Sequence, residues 1–167
     1  ITGNFTGSAG NQTPSVFRYD DAEGAWKAFP SVSNTETFDT GKGYAFGLPD
    51  SNIKLTATGT VHLGDFSFEL TPNASKDPAK GWNLIGNPFT SPVVWSAEGL
   101  SSTGVSSAAY VFDSSYPGGR YLVWDGETGD DEFGGLIPQG QGFFVRTIAD
   151  DPVLKIKRTA ARDTVSS

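Results

Sequence analysis

Val16-Phe17-Arg18-Tyr19-Asp20 and Ala109-Tyr110-Val111-Phe112-Asp113 are one strand written twice, and the elements that follow each copy match as well. After the first comes Gly41-Lys42-Gly43-Tyr44-Ala45-Phe46, and after the second Gly140-Gln141-Gly142-Phe143-Phe144-Val145. A short alternating strand closes each set, Ile53-Lys54-Leu55-Thr56 and Val153-Leu154-Lys155-Ile156-Lys157. Matched elements in one order point to internal duplication of a β-rich unit. Neither half holds enough strands to bury both of its faces, so the halves are expected to depend on each other. No reactive group repeats with the strands, which favours architecture over catalysis.

The duplication divides the chain into a polar N-terminal segment (1–14), a first repeat (15–80), a second repeat (81–160) and a tail (161–167). In the first repeat, residues 15–19 and 25–29 read as a hairpin about the turn Asp20-Asp21-Ala22-Glu23-Gly24. Strands are expected at 43–48, at 53–58 after the turn Pro49-Asp50-Ser51-Asn52, at 60–63, and at 65–70. In the second, 81–88 reads as a buried strand and 96–107 as a surface loop or one helical turn. Residues 108–112 and 120–124 flank the turn Tyr116-Pro117-Gly118-Gly119, and 142–147 and 153–159 close the chain. No segment sustains a 3.6-residue period with caps. The expected fold is all-β, antiparallel and sandwich-like, built from two related repeats with little or no helix.

The 167 residues suffice for a genuine core. A net charge of −7 argues against binding a nucleic-acid backbone, which needs clustered cations. Cysteine is absent, so disulfides, thiol nucleophiles and thiolate metal sites are excluded. Aromatic residues reach 13%, too rich for disorder, and no apolar run approaches the roughly 20 residues of a spanning helix. The chain starts at Ile1 and holds no Met, so a processed or internal start is expected, with removal of an export signal as the economical reading.

One string is more specific than the rest: Gly81-Trp82-Asn83-Leu84-Ile85-Gly86-Asn87-Pro88-Phe89-Thr90-Ser91-Pro92-Val93-Val94-Trp95. It resembles a segment of the β-rich repeat modules in large surface proteins exported by the type IX secretion system. Tyr110-Val111-Phe112-Asp113, Tyr121-Leu122-Val123-Trp124-Asp125-Gly126 and Gly140-Gln141-Gly142-Phe143-Phe144-Val145 follow in the order that family shows. The resemblance spans most of residues 14–160. It implies an extracellular or cell-surface β-sandwich-like module and no enzymatic activity, since such repeats serve as spacers beside other domains. The separate sorting domain of that family is not visible in these residues.

The residues themselves offer little catalytic chemistry. His62 is the only histidine, and no Gly-X-Ser-X-Gly elbow is present. The Gly-X-Gly-aromatic signals precede strands rather than helices, so they read as glycine bends and not as phosphate sites. Carboxylates cluster at Asp20, Asp21 and Glu23 and again at 125–132, but exposed turns keep them ionised, which is unsuited to acid–base hydrolysis of glycosides. Asp125, Glu127, Asp130 and Asp131 are candidate ligands for calcium, the one cofactor considered. Their spacing is not that of an EF-hand, and a solvated hairpin loop is the competing reading.

The aromatic residues leave a choice between a glycan platform and ordinary core packing. Trp82, in the most apolar stretch, is expected in the core; Trp26 and Trp124, beside turns, are the candidates for glycan contact. At the N-terminus, Ile1 and Phe5 share one face of an alternating segment suited to donation into another subunit's sheet. Head-to-tail donation of that kind builds a fibre, and a plain linker is the alternative. Asn4, Asn11 and Asn73 match the N-glycosylation pattern. The expected function is a non-catalytic structural or adhesion module, with a carbohydrate-binding module as the alternative. Expected partners are copies of itself, neighbouring domains of the parent protein or glycans, without membrane insertion.

Overall fold

Alternating strands and tight turns dominate the computed structural model, which describes residues 15–30, 36–48 and 59–161. The first half contributes β1 (Val16–Asp20), β2 (Ala25–Ala28), β3 (Tyr44–Phe46) and β4 (Phe66–Ser67). Then come β5 (Trp82–Gly86), β6 (Val93–Val94), β7 (Leu100–Thr103) and β8 (Ala109–Asp113). Last are β9 (Arg120–Trp124), β10 (Leu136–Ile137), β11 (Gly142–Arg146) and β12 (Val153–Ile156), before a 3₁₀ turn at Arg158–Ala160. Every pairing is antiparallel, and the fold is all-β and sandwich-like.

The duplication read from the sequence has a counterpart in the pairing. One sheet runs β2-β1-β3; a second runs β9-β8-β11-β5, with the matched strands in the same order. The register matches too. Phe17 opposes Ala45, and their counterparts Tyr110 and Phe144 oppose each other. Tyr19 opposes Trp26 with ring centroids 5.4 Å apart, and the counterparts Phe112 and Tyr121 lie 5.3 Å apart. Each hairpin also fastens its turn with the aspartate that ends its first strand. Asp20 Oδ1 accepts from the Glu23 backbone N–H at 3.0 Å, and Asp113 Oδ1 from the Ser115 backbone N–H at 2.9 Å.

The glycine bend joins the two sheets. Gly43 N–H donates to Leu84 O at 3.1 Å and Gly86 N–H to Gly41 O at 2.9 Å, so residues 41–43 lie along the edge of β5. Gly41 has φ 80°, and a Cβ on Gly43 would fall 2.6 Å from Leu84 Cγ. Both positions therefore need glycine, one for its dihedral and one for the close approach. A strand rather than a helix directly follows each glycine signal, β3 after the first and β11 after the second.

The core lies on the inner face of β9-β8-β11-β5. Ile85, Ala109, Phe143 and Val145 from that sheet meet Leu154 and Ile156 of β12, Val93 of β6 and Ile137 of β10. Opposite them stand the sheet β4-β12-β7 and the ribbon β10-β6. Phe68, from the first half of the sequence, also lies in this core, and β4 pairs with β12, so both halves contribute to one core. Burying these side chains supplies the main driving force, about 1.5–3 kcal/mol for each fully buried aliphatic or Phe residue.

The 81–95 string works as a set of clamps. Asn83 is fully buried; its Oδ1 accepts from Thr71 N–H at 2.7 Å, and its Nδ2 donates to Gly81 O at 2.9 Å. Asn87 Nδ2 reaches Ser91 O and Ile137 O, at 3.0 and 3.1 Å, fixing the turn against β10. Trp95, 1% exposed, donates from Nε1 to Ser107 O at 2.7 Å. Each buried polar group thus has a partner, which avoids the cost of an unsatisfied one.

Some expected elements differ. Residues 96–107 contain the strand β7, paired with β12, where a loop or helical turn was expected. Only Leu100 is apolar in β7; Ser101, Ser102 and Thr103 are exposed, so the pairing is carried by backbone without a side-chain signature. Residues 60–63 form no strand, and only Phe66–Ser67 of the expected 65–70 strand pairs. The expected turn at 49–52 and strand at 53–58 lie outside the described residues.

Candidate functional site

Alternation along β5, β8, β9 and β11 sends every second side chain away from the core. The outward set includes Trp82, Tyr110, Tyr121 and Phe144, and the first hairpin lays Tyr19 and Trp26 over it. Together these rings line one lobe of a groove, of about 390 Å³. A second lobe of about 410 Å³ shares Trp26, Tyr110, Tyr121 and Phe144 and continues past Tyr44, Phe112, Ser114 and Gln141. Both volumes fall in the range of about 300–1,000 Å³ usual for ligand sites.

Phe144, 8% exposed, forms the floor. Its centroid lies 4.9 Å from Tyr19, 6.1 Å from Trp26, 6.3 Å from Trp82 and 6.0 Å from Tyr121, all edge to face. Trp82 meets Tyr110 edge to face as well, at 5.0 Å. The mutually inclined rings make walls and a floor, where the sequence suggested a flat platform. The rim is open: Trp26 is 46% exposed, Tyr121 48% and Phe112 50%.

Burial pushes the Tyr19 phenol up, with the Asp21 carboxylate and Tyr121 adding to the shift, and burial alone does the same to Tyr121. Both phenols are therefore neutral at physiological pH, able to donate and to accept hydrogen bonds. Asp21 is itself engaged: Oδ2 meets Lys42 Nζ at 2.9 Å, and Oδ1 accepts from Leu84 N–H at 3.2 Å. No charged side chain lines either lobe among the described residues.

The structure treats the three singled-out tryptophans differently. Trp26 lines the groove. Trp124 lies on the opposite face of β9, packed against the core, and a Cβ on Gly135 would meet its indole. Trp82 corrects the expectation of a core residue: it is half-buried in the groove. β5 is covered on both faces, so the apolarity of its sequence did not reveal which side each residue takes. The other rings of the groove were not singled out as a site; the aromatic alternation Tyr110-X-Phe112 was the available signal.

In the acidic loop the carboxylates turn to their own backbone. Asp125 Oδ1 accepts from Thr128 N–H at 2.8 Å and Glu127 N–H at 3.0 Å, which hold its carboxyl below the usual aspartate range. Asp130 Oδ2 accepts from Val123 N–H at 2.7 Å, while Glu127 and Asp131 are exposed. Glu132 pairs with Arg120. Among the described residues, no group of three or more His, Cys, Asp or Glu side chains is placed to hold a metal ion. His62 Nε2 lies 3.1 Å from Asp65 O, with its ring 5.0 Å from Phe66.

Ile1, Phe5, Asn4 and Asn11 lie outside the described residues. Asn73 is 4% exposed and donates from Nδ2 to Asp77 O at 2.9 Å, so its amide is engaged in the fold rather than presented as a glycan acceptor. No helix among the described residues is long and apolar enough to cross a membrane. Comparison with models of known protein families, with curated proteins and with solved structures finds no match for this chain.

Proposed function

We propose that this chain is a non-catalytic adhesion module of an extracellular or cell-surface protein, and that it holds its partner in the aromatic groove between the two hairpins. The observation that carries this reading is the half-open ring set: Trp26 and Tyr121 line both lobes and keep nearly half of their surface exposed. Apolar residues exposed together on a rigid sheet, with neutral polar tips, favour a contact surface. The resemblance of residues 81–95 and their followers to type IX-exported repeat modules supports the surface location. The test is attachment of the purified chain to surfaces of its native environment: wild type attaches and Trp26→Ala does not.

A second reading, a fibre subunit joined by strand exchange, draws on β2 standing at one end of its sheet among the described residues, an edge to which an extended segment of another copy could add. Electron microscopy of the full chain and of a form lacking residues 1–13 tests it: fibres in the first alone support it, and dispersed particles in both contradict it.

A further inference from the structure

Taking the adhesion reading as its basis, we propose that the groove binds a short segment of neutral glycan, clasped between Trp26 and Tyr121 over the Phe144 ring. The lining decides the charge of the ligand. Neither lobe is lined by Asp, Glu, Lys or Arg among the described residues, and a charge brought there unpaired loses its hydration without compensation. The Asp21 carboxylate, beside Tyr19 in the same hairpin, is held by Lys42 and by the Leu84 N–H, so it is not offered to a cation. The net charge of −7 over the whole chain disfavours an anion.

The chemistry of the walls decides the class. A pyranose presents a C–H-rich face to an aromatic ring and hydroxyls, both donors and acceptors, around its edge. The groove answers both. Its rings give apolar faces, and the Tyr19, Tyr110 and Tyr121 phenols with the Gln141 amide give uncharged groups that donate and accept. The two lobes share Trp26, Tyr110, Tyr121 and Phe144, so they adjoin about these rings. Two adjoining apolar lobes suit consecutive sugars of a chain better than a single compact molecule.

Tryptophan fluorescence and calorimetry of the full chain test the proposal, with neutral oligosaccharides from β-glucan, chitin, xylan and mannan beside acidic ones from pectate and alginate. At least one neutral series binds, its affinity holds as salt is raised, and Trp26→Ala weakens it by about tenfold or more. Tyr121→Phe, which keeps the ring and loses the hydroxyl, weakens it less than Tyr121→Ala. Neutral binding untouched by Trp26→Ala overturns the site. Salt-sensitive binding of the acidic series alone, or binding of proline-rich peptides with no neutral sugar bound, overturns the ligand class. If no neutral series binds while Trp26→Ala still abolishes attachment, the glycan is wrong and the adhesion reading stands. If Trp26→Ala leaves attachment intact, the adhesion reading itself fails.

Discussion

The two hairpins share a register but not a buried face. Val111 and Leu122 of the second turn toward the core, whereas their counterparts in the first are Arg18, which is exposed, and Lys27, which pairs with Glu23 at the surface. Phe143 is 1% exposed and stacks edge to face on Trp95 at 5.5 Å. Its counterpart Tyr44 is only half-buried, against Phe38 at 4.6 Å and Phe29 at 4.9 Å. Strand order, register and the turn-fastening aspartate are common to both copies; of the two hairpins, only the second packs its inner face into the main core. Released from core packing, the first hairpin lays Tyr19 and Trp26 across the outer face of the second sheet, and the groove arises from that difference.

Removing matched aromatic residues should cost the two copies unequally. Phe143→Ala should cost about 3–5 kcal/mol, the range for a large ring lost from a packed core. Tyr44→Ala should cost about 1–2 kcal/mol, since its site is partly solvated. Urea denaturation of the pair measures both, and equal losses would mean that the copies carry equal shares of the core. Asn83→Ala should cost about 1–3 kcal/mol, because Thr71 N–H and Gly81 O lose a buried partner. A loss within experimental error would show that the clamp contributes nothing.

The turns should show the likeness of the two copies rather than their difference. In Asp113 the Ser115 hydroxyl and then its N–H, and in Asp20 the Glu23 N–H, hold the carboxyl below its ordinary value of 3.8. A carboxyl lowered on folding stabilises the folded state above its unfolded value, and that contribution is lost as pH falls through the folded value. Stability should therefore decline below about pH 4, and Asp20→Ala and Asp113→Ala should each flatten the decline slightly. Denaturation midpoints followed down the acid range check this. A decline unchanged in both variants would remove these two carboxylates from the acid response.

The hairpins were legible in the sequence because alternation and Asp- and Gly-rich turns specify them locally. β6 and β10, two residues each, and β7, with one apolar residue, were not, because tertiary contacts rather than pattern make them strands. Trp26 was legible as an exposed ring beside a turn. Trp124 also stands beside a turn, yet it shares the parity of the buried Leu122, and that parity places it on the core side of β9. The groove as a whole could not be read locally, since its rings come from β1, β2, β3, β5, β8, β9 and β11 and meet only when one copy folds over the other.

Whether the groove holds the partner is decided by the melting temperature and the surface attachment of Trp26→Ala, side by side with wild type. Trp26 is an exposed ring on the end strand of its sheet, so its loss should leave stability within about 1 kcal/mol of wild type. A near-unchanged melting temperature with attachment lost is the expected result. Full attachment by a folded Trp26→Ala protein would contradict it.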